Sequence, residues 1–107
     1  MSTNPEPIYS DLLQDEPELA ELISQFIDAL PDLIDAFASA IAQEDWIAVK
    51  KLVHDMKGLG GGYGYPHLSE LAERMRVRIL EEQYTHLDSD VDEMRLLARR
   101  IQIGYQA

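Results

Sequence analysis

The sequence predicts an all-α protein, an up-down antiparallel four-helix bundle with a short N-terminal extension or helix. Apolar residues recur at three- and four-residue spacing in four separate stretches, short polar or glycine-rich segments join them, and no stretch alternates as a strand would. At 107 residues the chain fits one domain with a single core. Residues 1–8 lack periodicity and are expected to form a disordered lead, with the bundle over residues 9–107.

A short turn of helix is expected over Tyr9 to Leu13. From Glu18 onward Leu19, Leu22, Ile23, Phe26, Leu30, Leu33, Ile34, Phe37 and Ile41 hold one helical phase, the mark of a long amphipathic helix. Pro31 lacks an N–H and crowds the carbonyl of Ile27, yet the phase continues across it, which fits a kink better than a split into two helices. The second helix follows Glu44 and Asp45, where acidic side chains favour the positive end of the macrodipole and Asp45 can cap free N–H groups. Five of the six glycines fall between Gly58 and Gly64, with Pro66 after them, and this marks a helix stop and a loop. A third helix is expected from about His67 to Glu82, with Leu68, Leu71, Ala72, Met75 and Ile79 inward. The segment from Tyr84 to Asp88 connects it to a last helix, about Ser89 to Tyr105, which buries Val91, Met94, Leu97, Ala98 and Ile101. Asp90, Asp92 and Glu93 near its start, with Arg99 and Arg100 near its end, suit the helix dipole.

On the second helix Lys50, His54, Lys57, Gly58 and Gly61 share one stripe, while Trp46, Val49, Val53 and Met56 form the opposite, apolar one. The core is thereby set on one side and His54 is directed to solvent. Gly58, one turn beyond His54, leaves the space above the imidazole open, at a cost of about 1 kcal/mol in helix propensity. Imidazole is a competent nucleophile near neutral pH, able to take a phosphoryl group on a ring nitrogen. Lys50 and Lys57 would supply charge and donors where phosphoryl oxygens would sit. Lys50, Lys51 and Lys57 are the only lysines, and no lysine or arginine precedes them.

The intervals of His54, Lys57, Gly58, Gly61, Gly64 and Leu68 resemble the signature of the histidine phosphotransfer (HPt) domain. The resemblance takes in the preceding helix, the Asp45-Trp46 turn and the final helical pair, over approximately residues 12 to 104. It implies a four-helix bundle whose exposed histidine accepts a phosphoryl group from a receiver-domain aspartate and passes it to another. Carried over by position, His54 would be the phosphoacceptor, Lys57 the phosphoryl-stabilising cation and Gly58 the clearance residue, with Gly61 and Gly64 shaping the following turn. The chain departs from the family at Leu59, where a small polar residue is common, and in its additional Gly60 and Gly62.

A net charge of −11 argues against nucleic acid as a partner and favours a basic or mixed-charge protein. Without cysteine there is no disulfide or thiolate chemistry, and no apolar run has membrane-spanning length, so a cytoplasmic monomer is expected. The glycines follow Lys57 rather than preceding a lysine, against a nucleotide-binding P-loop. His54, His67 and His86 lack paired metal-ligand spacing; no metal or cofactor is expected, and Mg²⁺ would belong to a partner receiver. His67 and His86 read as solvated side chains, and Asp55, a candidate for tuning His54, points away from it as an adjacent helix residue. Arg74 and Arg78, one turn apart, are candidates for the border of the partner site, with intrahelical pairing to Glu70, Glu81 or Glu82 the plainer account.

Ile47, Lys50, Gly61, Tyr63 and Gly64, together with Leu59 and Tyr65, are candidates for a partner-docking patch; ordinary packing under the glycine loop is the competing account of the apolar ones. The expected function is a phosphoryl carrier without kinase activity of its own, serving response-regulator receiver domains and a hybrid sensor histidine kinase. The alternative is an acidic helical adaptor that binds a signalling protein without accepting phosphate.

Overall fold

The computed structural model describes residues 6–13 and 15–106, the last in its backbone only. A 3₁₀ turn at Pro17–Leu19 leads into helix α1 (Ala20–Ala42), followed by α2 (Trp46–Gly62) and α3 (Pro66–Leu80). A second 3₁₀ turn, Tyr84–His86, precedes α4 (Leu87–Gln106). Each helix packs on the next and α1 packs on α4, which closes a four-helix bundle with no strand among the described residues. The expected all-α bundle is the fold found.

The core comes from the predicted apolar stripes. Ile23, Leu30, Ile34 and Phe37 of α1 meet Val49, Val53 and Met56 of α2, Leu68, Leu71 and Met75 of α3, and Met94 and Ile101 of α4, all of them buried. Each such side chain withdraws roughly 1.5–3 kcal/mol worth of apolar surface from water. Leu22 departs from its stripe and is half exposed. Pro31 lies inside an unbroken α1 with its ring exposed, so the missing N–H falls on the solvent side and the helix is neither split nor ended there.

The predicted helix stop falls late in the glycine-rich run: α2 continues through Gly58, Gly60 and Gly61 to Gly62, and only residues 63–65 form the loop before Pro66. Packing overrides propensity here. A Cβ at Gly60 would stand 2.8 Å from the Ser69 backbone nitrogen and 3.0 Å from the Leu68 Cβ, so the missing side chain is what lets α3 approach. Ser69 Oγ donates to the Lys57 carbonyl at 2.6 Å across the same contact.

All three inter-helix connections use one hydrogen-bond pattern. Asp45, Tyr65 and Gln83 donate to the carbonyls of Ala40, Gly60 and Arg78, five residues back, and Glu44, Gly64 and Glu82 donate to carbonyls three back. This is the Schellman closure, which sets its penultimate residue in the left-handed region. Glu44 (φ 55°), Gly64 (φ 82°) and Glu82 (φ 57°) occupy that position. Asp45 then caps α2, its carboxylate accepting from the Ala48 N–H at 3.2 Å, as expected.

Residues 1–5 of the expected disordered lead lie outside the described residues, whereas Ile8 is buried. Its N–H donates to the Arg100 carbonyl at 3.0 Å, and its own carbonyl fills the space beside Gly104 where a side chain would stand. Tyr9 to Leu13 form an irregular strap with a turn at its end, not the expected helix, because the segment bonds outward: the backbone N–H of Asp11 donates to Gly64 O at 2.9 Å and the side-chain Ser10 Oγ to Tyr63 O at 2.7 Å. The strap thereby ties the end of α2 to the end of α4. Two aromatic stacks brace the bundle ends, Phe26 on Tyr63 at 4.6 Å and Trp46 on Tyr84 at 4.1 Å.

Candidate functional site

His54 stands midway along α2 and is exposed, opposite the buried Val49, Val53 and Met56. The 3.6-residue period that buries those three places the imidazole on a ridge between two grooves. On the α3 side a groove of about 260 Å³ is lined by Lys50, Val53, His54, Arg76, Ile79 and Leu80. A wider depression of about 380 Å³ on the α1 side is lined by Leu33, His54, Asp55, Gly58 and Leu59. A Cβ added at Gly58 would meet nothing within 4 Å, so the space one turn above the imidazole is open.

The cations around His54 differ in their commitments. Lys57 Nζ donates to Glu73 Oε2 at 3.0 Å, across to α3, and is therefore already paired. Glu73 also receives Arg76, through Nε at 2.9 Å to Oε2 and Nη2 at 2.6 Å to Oε1. Hydrogen bonds from Arg76 first, then from Lys57, hold the Glu73 carboxyl down at about 2. Lys50, on the groove wall with His54, makes no ion pair among the described residues.

Among the predicted partner-binding residues, Ile47 is 83% exposed two turns before His54, and Lys50 and Gly61 are exposed. Tyr63 is half-buried through its stack on Phe26, and Leu59 is half-buried at the α1-side depression. Two residues are corrected as surface contacts. Gly64 is buried, with Ser10 Oγ 2.5 Å and Leu12 N 2.8 Å from where its Cβ would be, and Tyr65 is 1% exposed. Gly61 lies inside α2, so only Gly64 shapes the turn in the manner expected of both.

His67, the second residue of α3, and His86, in the second 3₁₀ turn, are exposed and distant in sequence from the His54 face. Asp55 borders the α1-side depression, beside His54 after all. Arg74 and Arg78 do not pair within α3. They reach α4, where Arg78 Nε lies 3.1 Å and Arg74 Nε 3.7 Å from the buried Asp90, and Arg74 Nη2 binds Glu93 at 2.6 Å. The Arg78 contact is misaligned for a hydrogen bond, so this pair is held by charge alone.

Glu73, Arg76, Leu33 and Leu80 are the site residues that sequence reasoning missed. The only available signal was the three-residue spacing of Glu73 and Arg76, which predicts a pair on α3 but not its placement beside His54.

An exposed imidazole, open space above it and cations on one flank make a site suited to an anionic group of phosphoryl size, carried on a helical bundle. The family model for the Hpt domain matches residues 21–103, which spans all four helices apart from the ends of α1 and α4. The chain belongs to the Hpt domain family, whose members are phosphocarriers of phosphorelays rather than kinases. No curated protein and no solved structure matches the chain. Among the described residues no helix is long and apolar enough to cross a membrane.

Proposed function

We propose that this chain accepts a phosphoryl group on His54 from the aspartyl phosphate of a receiver domain and relays it to a second receiver. The observation that carries this is the position of His54 on the exposed middle turn of α2, with Gly58 leaving the adjoining turn open. In the transfer the aspartyl O–P bond breaks as an N–P bond forms on the unprotonated ring nitrogen. The aspartate leaves as a carboxylate, and the ring sheds its remaining proton to water. Mg²⁺ bound by the receiver would neutralise the charge at its own aspartate.

On this chain Lys57 and Lys50 supply positive charge, Gly58 supplies clearance, and Ile47, Gly61 and the exposed edge of Tyr63 form the surface on which the receiver seats. A hybrid sensor histidine kinase is the source of the phosphoryl group, and the protein works as a cytoplasmic monomer without ATP-dependent activity.

Incubation with Mg²⁺-loaded, phosphorylated receiver domains should put acid-labile phosphate on the wild type and none on His54→Gln. A wild type that stays unlabelled with every competent donor would return the chain to the adaptor reading. Gly58→Ala separates fold from function. With no neighbour to meet, the methyl group should raise stability by about 0.5–1 kcal/mol in urea unfolding while slowing transfer from a receiver severalfold.

A further inference from the structure

Lys57 on α2 and Arg76 on α3 converge on a single oxygen. Glu73 Oε2 lies 3.0 Å from Lys57 Nζ and 2.9 Å from Arg76 Nε. Two cations so placed repel one another unless an anion sits between them. Solvent reaches all three side chains, which are 51%, 49% and 36% exposed for Lys57, Arg76 and Glu73. Exposed ion pairs of this kind hold weakly, so a stronger anion nearby would draw the cations away. Arg76 already lines the groove that contains His54. A phosphoryl group there would bring about −1.5 to −2 charges and three acceptor oxygens against the single charge of a carboxylate.

We propose that Glu73 is an internal stand-in for the phosphoryl group: it holds Lys57 and Arg76 beside His54 until the N–P bond forms, then yields both to the phosphoryl oxygens. The inference rests on the carrier reading of His54 and makes Arg76 a phosphoryl-binding residue. It gives Glu73 two opposed effects. The carboxylate keeps the cations in place before transfer, and it competes for them afterwards, so phosphohistidine is stabilised less than two free cations would stabilise it. The group stays easy to pass on. Because Glu73 remains ionised far below neutral pH, that competition operates throughout the physiological range.

The test uses phosphoramidate, a small donor that needs no docking surface; its P–N bond breaks with loss of ammonia as His54 is phosphorylated. Labelling rates are compared for wild type, Arg76→Gln, Arg76→Lys and Glu73→Gln, alongside thermal melting of each. Arg76→Gln should slow labelling about tenfold, Arg76→Lys should restore most of the rate, and Glu73→Gln should raise it about threefold. Because the pair is exposed, melting should fall by no more than a few degrees in any of the three variants, and alike for Arg76→Gln and Glu73→Gln, which break the same pair. Opposite signs in the two halves of one ion pair distinguish phosphoryl binding from a structural tie, whose loss would move both variants alike. A labelled wild type with Arg76→Gln and Glu73→Gln either unchanged or shifted in the same direction would overturn the inference and leave the carrier reading standing. A wild type that takes no label from phosphoramidate or from any receiver would overturn both.

Discussion

Glu73, between Lys57 and Arg76, and Asp90, between Arg74 and Arg78, are one chemical arrangement in two surroundings. Each is a carboxylate flanked by two cations, the first across the α2–α3 seam and the second across α3–α4. Glu73 is 36% exposed and Asp90 only 3%. Their acidities move in opposite directions. Hydrogen bonds from Arg76 and Lys57 hold Glu73 down at about 2, whereas burial pushes Asp90 up more than Arg78 and Arg74 pull it down. Solvation, rather than the charges present, decides which carboxylate is comfortable. Where water reaches the cluster the pairing is easy to make and to exchange, as the proposed phosphoryl site requires. Where water is excluded the pairing only offsets a desolvation penalty, and its role is to fix α4 on α3.

The largest effect expected from this contrast follows removal of Arg78. Arg78→Met leaves the buried Asp90 with the more distant Arg74, at 3.7 Å, as its remaining ion-pair partner and should cost about 2 kcal/mol in urea unfolding. A loss below about 0.5 kcal/mol would place Asp90 in effective contact with water and dissolve the distinction. Asp90→Asn keeps the shape and removes the penalised charge, so its cost should stay under about 1 kcal/mol despite the burial.

The third expectation concerns pH and has opposite signs at the two sites. Glu73 ionises more readily folded than unfolded, so its contribution to stability is present above its ordinary value of 4.5 and is lost as pH falls toward about 2. Asp90 ionises less readily folded, so acidification from above toward its ordinary 3.8 relieves a penalty and adds stability. Carboxyl titration by NMR should show Glu73 protonating below the usual carboxylate range and Asp90 above it. The same direction at both would remove the contrast.

Much of the bundle was legible because burial imposes a period. The stripe of Val49, Val53 and Met56 placed His54 on the open face of α2, and the stripes of α3 and α4 named their buried residues correctly. What escaped depends on contacts between segments distant in sequence. The glycines from 58 to 64 mark a stop but not where in the run it falls; propensity alone would end the helix early, whereas α3 packs over Gly60 and keeps it helical to Gly62. Ile8 is a lone apolar residue in a polar lead, and only the gap at Gly104 shows where it goes. Glu44 and Glu82 carry no sign of a left-handed turn, since that position is usually glycine's. At the site, the helical spacing found the exposed histidine and its same-helix neighbours. It did not find Glu73 and Arg76 beside them, because the register of α3 against α2 is set by packing and not by either helix alone.

The strap also carries a consequence for assembly of the fold. Glu6 O accepts from Arg100 Nε at 2.8 Å and Ile8 N–H bonds the Arg100 carbonyl, a pairing of the earliest described residues with some of the last. During synthesis these residues are made long before α4, yet their seat at Gly104 does not exist until α4 has been made. This segment therefore docks only after α4 exists, and its docking closes a loop that runs from Ile8 to Gly104. Until then the end of α2 lacks the bonds that Ser10 and Asp11 make to Tyr63 and Gly64, so the helix bearing His54 is finished only when translation has passed Gly104.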